Sequence, residues 1–380
     1  MSNHITTGIT KSWYSQVNID LLAHILHRSI FHPFIAWLIP LCQRAVGAPA
    51  HSFNVYATCI YASIITLLWV LSYLDKRLAN GPPRELDWNE EVVVITGGAG
   101  GLGKILAEIY GMRGASVAIL DIQQLEKESE GLAGVEFYHC DVGNSDAVER
   151  ARGQIEKDVV SFFLPQLGVP TILINNAGIV HGKPLLSLSP TEVQKTFSVN
   201  TLSHFHALRT FLPGMLASAH GGTIVTISSV LGKLGASHLS DYTASKAALI
   251  AMHTSLRAEL TSSAAPKGAE NVRTILVTPG QLSTSLFEGL ETPNSFLGPV
   301  VEPVELAREI VRMVDSGQSG EISLPLYARY IDLLHVLPPG VQTLVRRLSG
   351  VDSAMESLKS KKGEPPAQKA NGNSADGKAS

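Results

Sequence analysis

Six short runs dominate the middle of the chain: EVVVIT (Glu91–Thr96), SVAILD (Ser116–Asp121), VEFYHC (Val135–Cys140), TILIN (Thr171–Asn175), GTIVTIS (Gly222–Ser228) and VRTILVT (Val272–Thr278). Each is β-branched and nearly all apolar, as strands buried on both faces of a sheet are. Helical patterns separate them over Leu102–Met112, Asp146–Leu164, Thr191–Ser218 and Tyr242–Ser262. That alternation implies an α/β domain: a doubly wound parallel sheet with helices on both faces. We assign it residues 81–325.

Residues 1–80 read as an N-terminal membrane anchor. VYATCIYASIITLLWVLSYL (Val55–Leu74) holds no charge, and as a helix it spans about 30 Å, the thickness of a hydrocarbon core. Tyr56, Trp69 and Tyr73 stand near its ends, where aromatic rings favour the interface. SIFHPFIAWLIPL (Ser29–Leu41) is shorter and carries Pro33 and Pro40, which are expected to break it. It reads as a re-entrant or interfacial piece, so the two runs suggest a hairpin. Lys76, Arg77 and Arg84 follow the span, and Arg28 and Arg44 precede it. Both ends of the hairpin are therefore expected in the cytosol. LANGPPRELDWNE reads as a linker into the sheet domain. Residues 326–356 are apolar with scattered basic groups, suited to lying on a membrane or packing on the domain. Residues 357–380 are rich in Lys, Gly, Ser, Pro and Ala and are expected to be disordered.

A net charge of −3 over 380 residues gives no footing for a nucleic-acid partner. Cys42, Cys59 and Cys140 are scattered, with neither disulfide-framework nor metal-ligand spacing. His24, His27 and His32 cluster near the anchor without an HExxH or paired cysteines, and no metal is expected.

VVVITGGAGGLGKILAEIY joins a strand to a helix through Gly97, Gly98, Gly100, Gly101 and Gly103. Such a turn lets the backbone approach a diphosphate, and the helix N-terminus points its free N–H groups at the anion. Asp121 ends the next strand, eighteen residues beyond Gly103. A carboxylate there accepts from a ribose 2′-hydroxyl and repels a 2′-phosphate, which favours NAD(H) over NADP(H). Tyr242 and Lys246 are four apart on one helix face, and Ser229 lies thirteen residues before Tyr242. An ammonium near the phenol, with the charge of oxidised nicotinamide, favours the phenolate. Tyr242 then takes the proton of an alcohol as hydride leaves carbon, or returns it to a carbonyl. Ser229 can hydrogen-bond the same oxygen.

The chain resembles the short-chain dehydrogenase/reductase family. It carries TGGAGGLG (Thr96–Gly103), CDV (Cys140–Val142), NNAG (Asn175–Gly178), VN (Val199–Asn200), Ser229, YTASK (Tyr242–Lys246) and PGQLST (Pro279–Thr284) in the family's order. The resemblance implies a Rossmann-like, seven-stranded sheet and a set of roles. Tyr242 is the general acid/base, Lys246 binds the nicotinamide ribose, Ser229 orients the substrate oxygen and Asn200 holds a water. Thr96, Gly97, Gly101, Leu102 and Gly103 form the diphosphate turn. Asp141 and Val142 meet the adenine. Asn175, Ala177 and Gly178 pack beneath the ribose. Pro279, Gly280, Leu282 and Thr284 meet the nicotinamide or diphosphate. Dimers or tetramers are common in the family. The N-terminal anchor extends the likeness to its membrane-attached retinal dehydrogenase and 17β-hydroxysteroid dehydrogenase-like branch.

After Gly280 the segment QLSTSLFEGLETPNSFLGPV, with Leu282, Leu286, Phe287, Leu290, Phe296 and Leu297, is expected to close an apolar pocket. The expected function is hydride transfer between NAD(H) and a lipophilic alcohol or carbonyl: a retinoid, steroid or long-chain lipid. The endoplasmic reticulum or a lipid droplet is the expected location. An NADPH-dependent lipid ketone reductase and a non-catalytic membrane scaffold stand as alternatives.

Overall fold

The computed structural model describes residues 18–80, 82–124, 134–162, 169–284, 286, 295–296 and 298–351. Three helices come first: α1 (Ile19–Arg28), α2 (Pro33–Ala45) and α3 (Phe53–Asn80). The sheet domain follows as β1 (Val92–Thr96), α4 (Gly101–Met112), β2 (Ser116–Asp121), β3 (Val135–His139), α5 (Ser145–Phe162), β4 (Ile172–Asn175), α6 (Pro190–Phe197), α7 (Ser203–Ala217), β5 (Gly222–Ile227), α8 (Ser240–Thr261), β6 (Val272–Val277), α9 (Pro303–Asp315) and β7 (Gly320–Ile322). Then come α10 (Leu326–Tyr330) and α11 (Pro339–Ser349).

The seven strands form one sheet in the order β3-β2-β1-β4-β5-β6-β7, every pair parallel. Successive side chains alternate across a strand, and β1 shows the consequence. Val92 and Val94 join a core with Phe211, Met215 and Leu249 on one face. Val93 and Ile95 join Leu106, Tyr110, Leu306 and Ile310 on the other. Five of the six sequence runs are thus strands buried on both faces. The sixth, β3, departs from that expectation: Glu136 and His139 are exposed. It is an edge strand with one neighbour, so its outer residues meet water. The sheet order reverses between β1 and β4. Their carboxyl ends therefore splay apart into a crevice, the binding position of open α/β sheets.

The N-terminal helices correct the reading of Pro40. That residue sits inside α2 and does not break it, while Pro33 occupies the first turn, where its missing N–H costs nothing. Ala36 and Pro40 are both buried, and Ala36 packs with Ala62 and Ile65 of α3. Close packing offsets the lost backbone bond. Trp37 Nε1 donates to Thr66 Oγ1 at 3.0 Å, and Thr58 Oγ1 to Gln43 Oε1 at 2.9 Å. Among the described residues α3 is the helix long and apolar enough to cross a membrane by itself; α1 and α2 meet at a 55° bend.

Arg84 also departs from expectation. It is not a free charge flanking the span but is 7% exposed inside the domain. Its guanidinium holds Glu91 at 2.8 and 2.9 Å and donates to the His220 carbonyl at 2.8 Å. The linker is therefore riveted to the first strand. Arg84→Met leaves Glu91 buried without its cation and is expected to cost about 3–5 kcal/mol. Chemical denaturation of the solubilised protein measures it. A loss below about 1 kcal/mol would show that the pair is not what fixes this segment.

Of the C-terminal segment, α10 packs on the domain through buried Ala328, whereas α11 buries no residue. The tail 357–380 lies outside the described residues.

Candidate active site

β1 delivers Thr96 to the crevice, and the glycine turn follows. Gly97 has φ +65°, and a Cβ there would stand 2.8 Å from Ala177 Cα. A Cβ on Gly103 would meet the Gly97 carbonyl oxygen at 2.3 Å. These positions require glycine because the NNAG turn presses against them. Thr96 Oγ1 accepts the Asn176 and Ala177 N–H groups at 3.0 and 3.2 Å, and Asn176 Nδ2 donates to the Gly97 carbonyl at 2.9 Å. Gly100, the N-cap of α4, supplies no side-chain cap. The first turn of α4 meets the cavity through Gly101 and Leu102.

That cavity is about 460 Å³ and runs along the carboxyl edge of the sheet. Gly97, Gly101 and Leu102 line it, while Thr96 and Gly103 do not. Asp121 lines the far end, where its oxygens accept from Ala99 N–H and Gln123 N–H, each at 3.0 Å. Asp141 and Val142 also line the cavity. Asp141 accepts from Gly143 N–H at 3.0 Å and pairs with Lys195 Nζ at 3.1 Å. Burial would raise its pKa, but these partners outweigh burial and hold the carboxyl below its usual range.

Ala177 and Gly178 form the floor. Asn175 does not reach the cavity. It is 1% exposed in β4, and neither polar atom of its side chain has a partner among the described residues. Pro279, Gly280, Leu282 and Thr284 close the roof, with the Thr284 methyl over Gly101. Leu286 lines the cavity as expected and Phe296 is exposed; Phe287, Leu290 and Leu297 lie outside the described residues.

Ser229, Tyr242 and Lys246 converge at the inner end. The Tyr242 phenol and Ser229 hydroxyl are hydrogen-bonded. Lys246 Nζ lies 5.8 Å from the centre of the Tyr242 ring and donates to the Ile227 carbonyl at 3.0 Å. The Ser228 hydroxyl is engaged elsewhere, donating to the Lys246 carbonyl at 2.8 Å, so Ser229 is the serine whose hydroxyl meets the tyrosine. Asn200 stands behind the cavity, fully buried. Its side chain accepts from Ile179 N–H at 2.8 Å and donates to the Ile179 carbonyl and Ser245 Oγ, both at 3.0 Å. A π-bulge over Ser198–Leu202 carries it, a local widening common at functional sites. Gly178 lies beside both groups: a Cβ there would stand in ordinary contact with Lys246 Nζ at 3.5 Å and Asn200 Oδ1 at 3.6 Å.

A family model described as short chain dehydrogenase matches residues 91–294. The chain belongs to the short-chain dehydrogenase family. Epidermal retinol dehydrogenase 2 of Mus musculus is 33% identical over 72% of this chain and 86% of its own. Human 17-beta-hydroxysteroid dehydrogenase 13 is 29% identical over 76% and 92%. The anticipated branch of the family is thus the one its relatives represent. A crystal structure of a short chain dehydrogenase from Burkholderia cenocepacia J2315 in complex with NADP superposes with a TM-score of 0.54. It is 25% identical and covers 69% of this chain and 99% of its own. This dehydrogenase is therefore an oxidoreductase of CH–OH groups built to use NAD(P).

The cavity fits such a cofactor. Gly97 and Gly103 of the glycine turn have no room for a side chain, the N-cap of the following helix offers no side-chain bond, and the carboxylates of Asp121 and Asp141 line the same cavity. In the dehydrogenase as described, burial pushes the Tyr242 phenol up to about 12, and the Ser229 hydrogen bond only partly opposes it. Burial also lowers Lys246 to about 8. In the cofactor-free protein burial favours the neutral phenol; the phenolate expected from sequence also requires the charge of oxidised nicotinamide. Asn176, Ile179 and Lys195 line the cavity without having been singled out from sequence. Asn176 lay within the quoted NNAG; nothing around Ile179 or Lys195 marked them.

Proposed function

We propose that this dehydrogenase is membrane-anchored and transfers a hydride between NAD(H) and a lipophilic alcohol or its carbonyl. The carrying observation is the Tyr242–Ser229 hydrogen bond with Lys246 beside it, all three lining the cavity. A bound nicotinamide supplies the hydride acceptor or donor. In oxidation the Tyr242 oxygen takes the hydroxyl proton as the carbon loses hydride, and in reduction it returns that proton to the carbonyl oxygen. Ser229 holds the substrate oxygen, and Lys246 holds the ribose and favours the phenolate. Asn200 positions the Ile179 backbone beneath them.

The substrate reading rests on what surrounds Tyr242: Leu239, with Val180, Leu231 and Ala236 packed against it, and Leu282 and Leu286 above. Two relatives are named for retinol and for a hydroxysteroid, both apolar alcohols. The exposed apolar helix α3 supports an anchor in the endoplasmic reticulum or lipid-droplet membrane. Lys76 and Arg77 beyond it support a cytosolic catalytic domain.

Preference for NAD(H) rests on Asp121, whose carboxylate is held at the cavity edge by two backbone N–H groups. No Arg or Lys occurs in Ser116–Gln124 to pair with a 2′-phosphate. Fluorescence titration is expected to show NADH binding at least about tenfold tighter than NADPH, about 1.4 kcal/mol. Asp121→Ala is expected to erase most of that difference. Tighter NADPH binding by the wild type would overturn the preference and point to ketone reduction.

A further inference from the structure

Two amphipathic helices present bare apolar faces beside the mouth of the cavity. On α11, Val341, Leu344, Val345 and Leu348 fall at helical spacing, and all are exposed, Leu348 at 77%. On α1, Leu21, Leu22, Ile25 and Leu26 form a second exposed stripe. Neither helix is placed at random. Ile19 N–H of α1 donates to the Phe296 carbonyl at 3.2 Å, in the segment that follows the cavity roof. Asp20 caps α10 by accepting from Leu326 N–H at 2.9 Å. The next residue, Tyr327, packs on Gly280 of the roof. From the other side Arg346 of α11 donates to the Gly235 carbonyl at 2.8 Å, and His335 meets the Lys233 carbonyl at 2.7 Å. Lys233 and Gly235 belong to the loop that leaves Ser229.

We infer that α1 and α11 are the two lips of the substrate entrance and that both lie in one leaflet of an anionic bilayer. The inference rests on the membrane-anchored reading above and adds the route by which substrate reaches Tyr242. The span is tied to the first lip. Tyr61 of α3 hydrogen-bonds the Ile30 carbonyl at the α1–α2 bend, where Ile30 and Phe31 are exposed. Charge also selects the occupant. Residues 339–349 hold no acidic group, and their last turn carries Arg346 and Arg347. The last turn of α1 carries His27 and Arg28. Basic groups beside an apolar stripe suit lipid phosphates, whereas a second copy of the chain would set like charges against each other. A lipophilic alcohol then passes from the leaflet between the lips to the cavity without crossing water.

The test uses the full chain in phosphatidylcholine/phosphatidylserine vesicles. Cys42 and Cys59 are first replaced by serine, and an environment-sensitive fluorophore is attached through Leu344→Cys, Leu348→Cys or, on the polar side, Thr343→Cys. Quenching by lipids spin-labelled in the acyl chain is expected at 344 and 348, and several-fold less at 343. Equal or absent quenching in protein that floats with the vesicles would overturn the inference while leaving the anchor intact. Protein that does not float would defeat the anchor and the inference together. A second readout is kinetic. The double substitution Leu344→Glu/Leu348→Glu is expected to raise KM for a vesicle-borne long-chain alcohol about tenfold or more. KM for a water-soluble short-chain alcohol, and kcat for both, should hold. Equal rises in both KM values would mean that α11 merely shapes the pocket.

Discussion

Tyr242→Phe is expected to lower kcat about 10²–10⁴-fold in both directions, the usual worth of a positioned acid or base. NADH affinity is expected to change little. The substitution removes one oxygen from a residue 3% exposed in a packed cluster with Leu239, so the ring still fills its space and the fold is kept. The same chemistry fixes the pH dependence. Oxidation needs the phenolate, and the phenol sits at about 12 before cofactor binds. Oxidation is therefore expected to rise with pH, close to tenfold per unit while the group remains mostly protonated. Reduction, which needs the protonated phenol, should not rise with it. Initial rates with a lipid alcohol and its carbonyl across a pH series measure both. A Tyr242→Phe enzyme with wild-type kcat would remove Tyr242 from the chemistry.

Lys246→Met should cost nearly as much, for a different reason. Lys246 Nζ lies 5.8 Å from the centre of the Tyr242 ring, and a nearby opposite charge commonly shifts a pKa by about 1–3 units. Losing it is expected to slow oxidation about 100-fold at pH 7. The wild-type ammonium is itself depressed to about 8 by burial. Below that pH it carries its charge; above it the charge fades. The deficit of the variant should therefore shrink as pH rises through about 8, apart from any weakening of cofactor binding. A deficit that stays constant across that range would assign Lys246 to ribose binding alone.

The strands of the sheet interior were legible because β-branched residues seldom form runs like VVVIT elsewhere. What sequence missed follows from local physics. β7 is three residues with a glutamate in the middle, too short to register as a run. β3 carries Glu136 and His139, and nothing in its pattern says that it has one neighbour. The expected helix over Thr191–Ser218 divides into α6, the π-bulge at Ser198–Leu202 and α7. An extra residue in a helical turn leaves no compositional trace. Proline in α2 and the buried Arg84 share one lesson. Tertiary partners decide whether a breaker breaks or a charge meets water, and those partners lie distant in sequence. Within the site, spacing located Ser229, Tyr242 and Lys246 because strand ends and one helix face fix their positions. Asn200 was identified from the family motif, but its bonds to Ile179 and Ser245 belong to the fold alone.

The central claim is that hydride passes between a lipophilic alcohol and NAD⁺ under the control of Tyr242. The most direct measurement supplies a long-chain alcohol deuterated at its carbinol carbon, with NAD⁺, to the full chain in vesicles. Mass spectrometry then follows deuterium into the nicotinamide. The expected result is deuterated NADH with the wild type and a loss of about 10²-fold or more with Tyr242→Phe. No deuterium in the cofactor across several lipid alcohols, or undiminished transfer by Tyr242→Phe, would contradict the account.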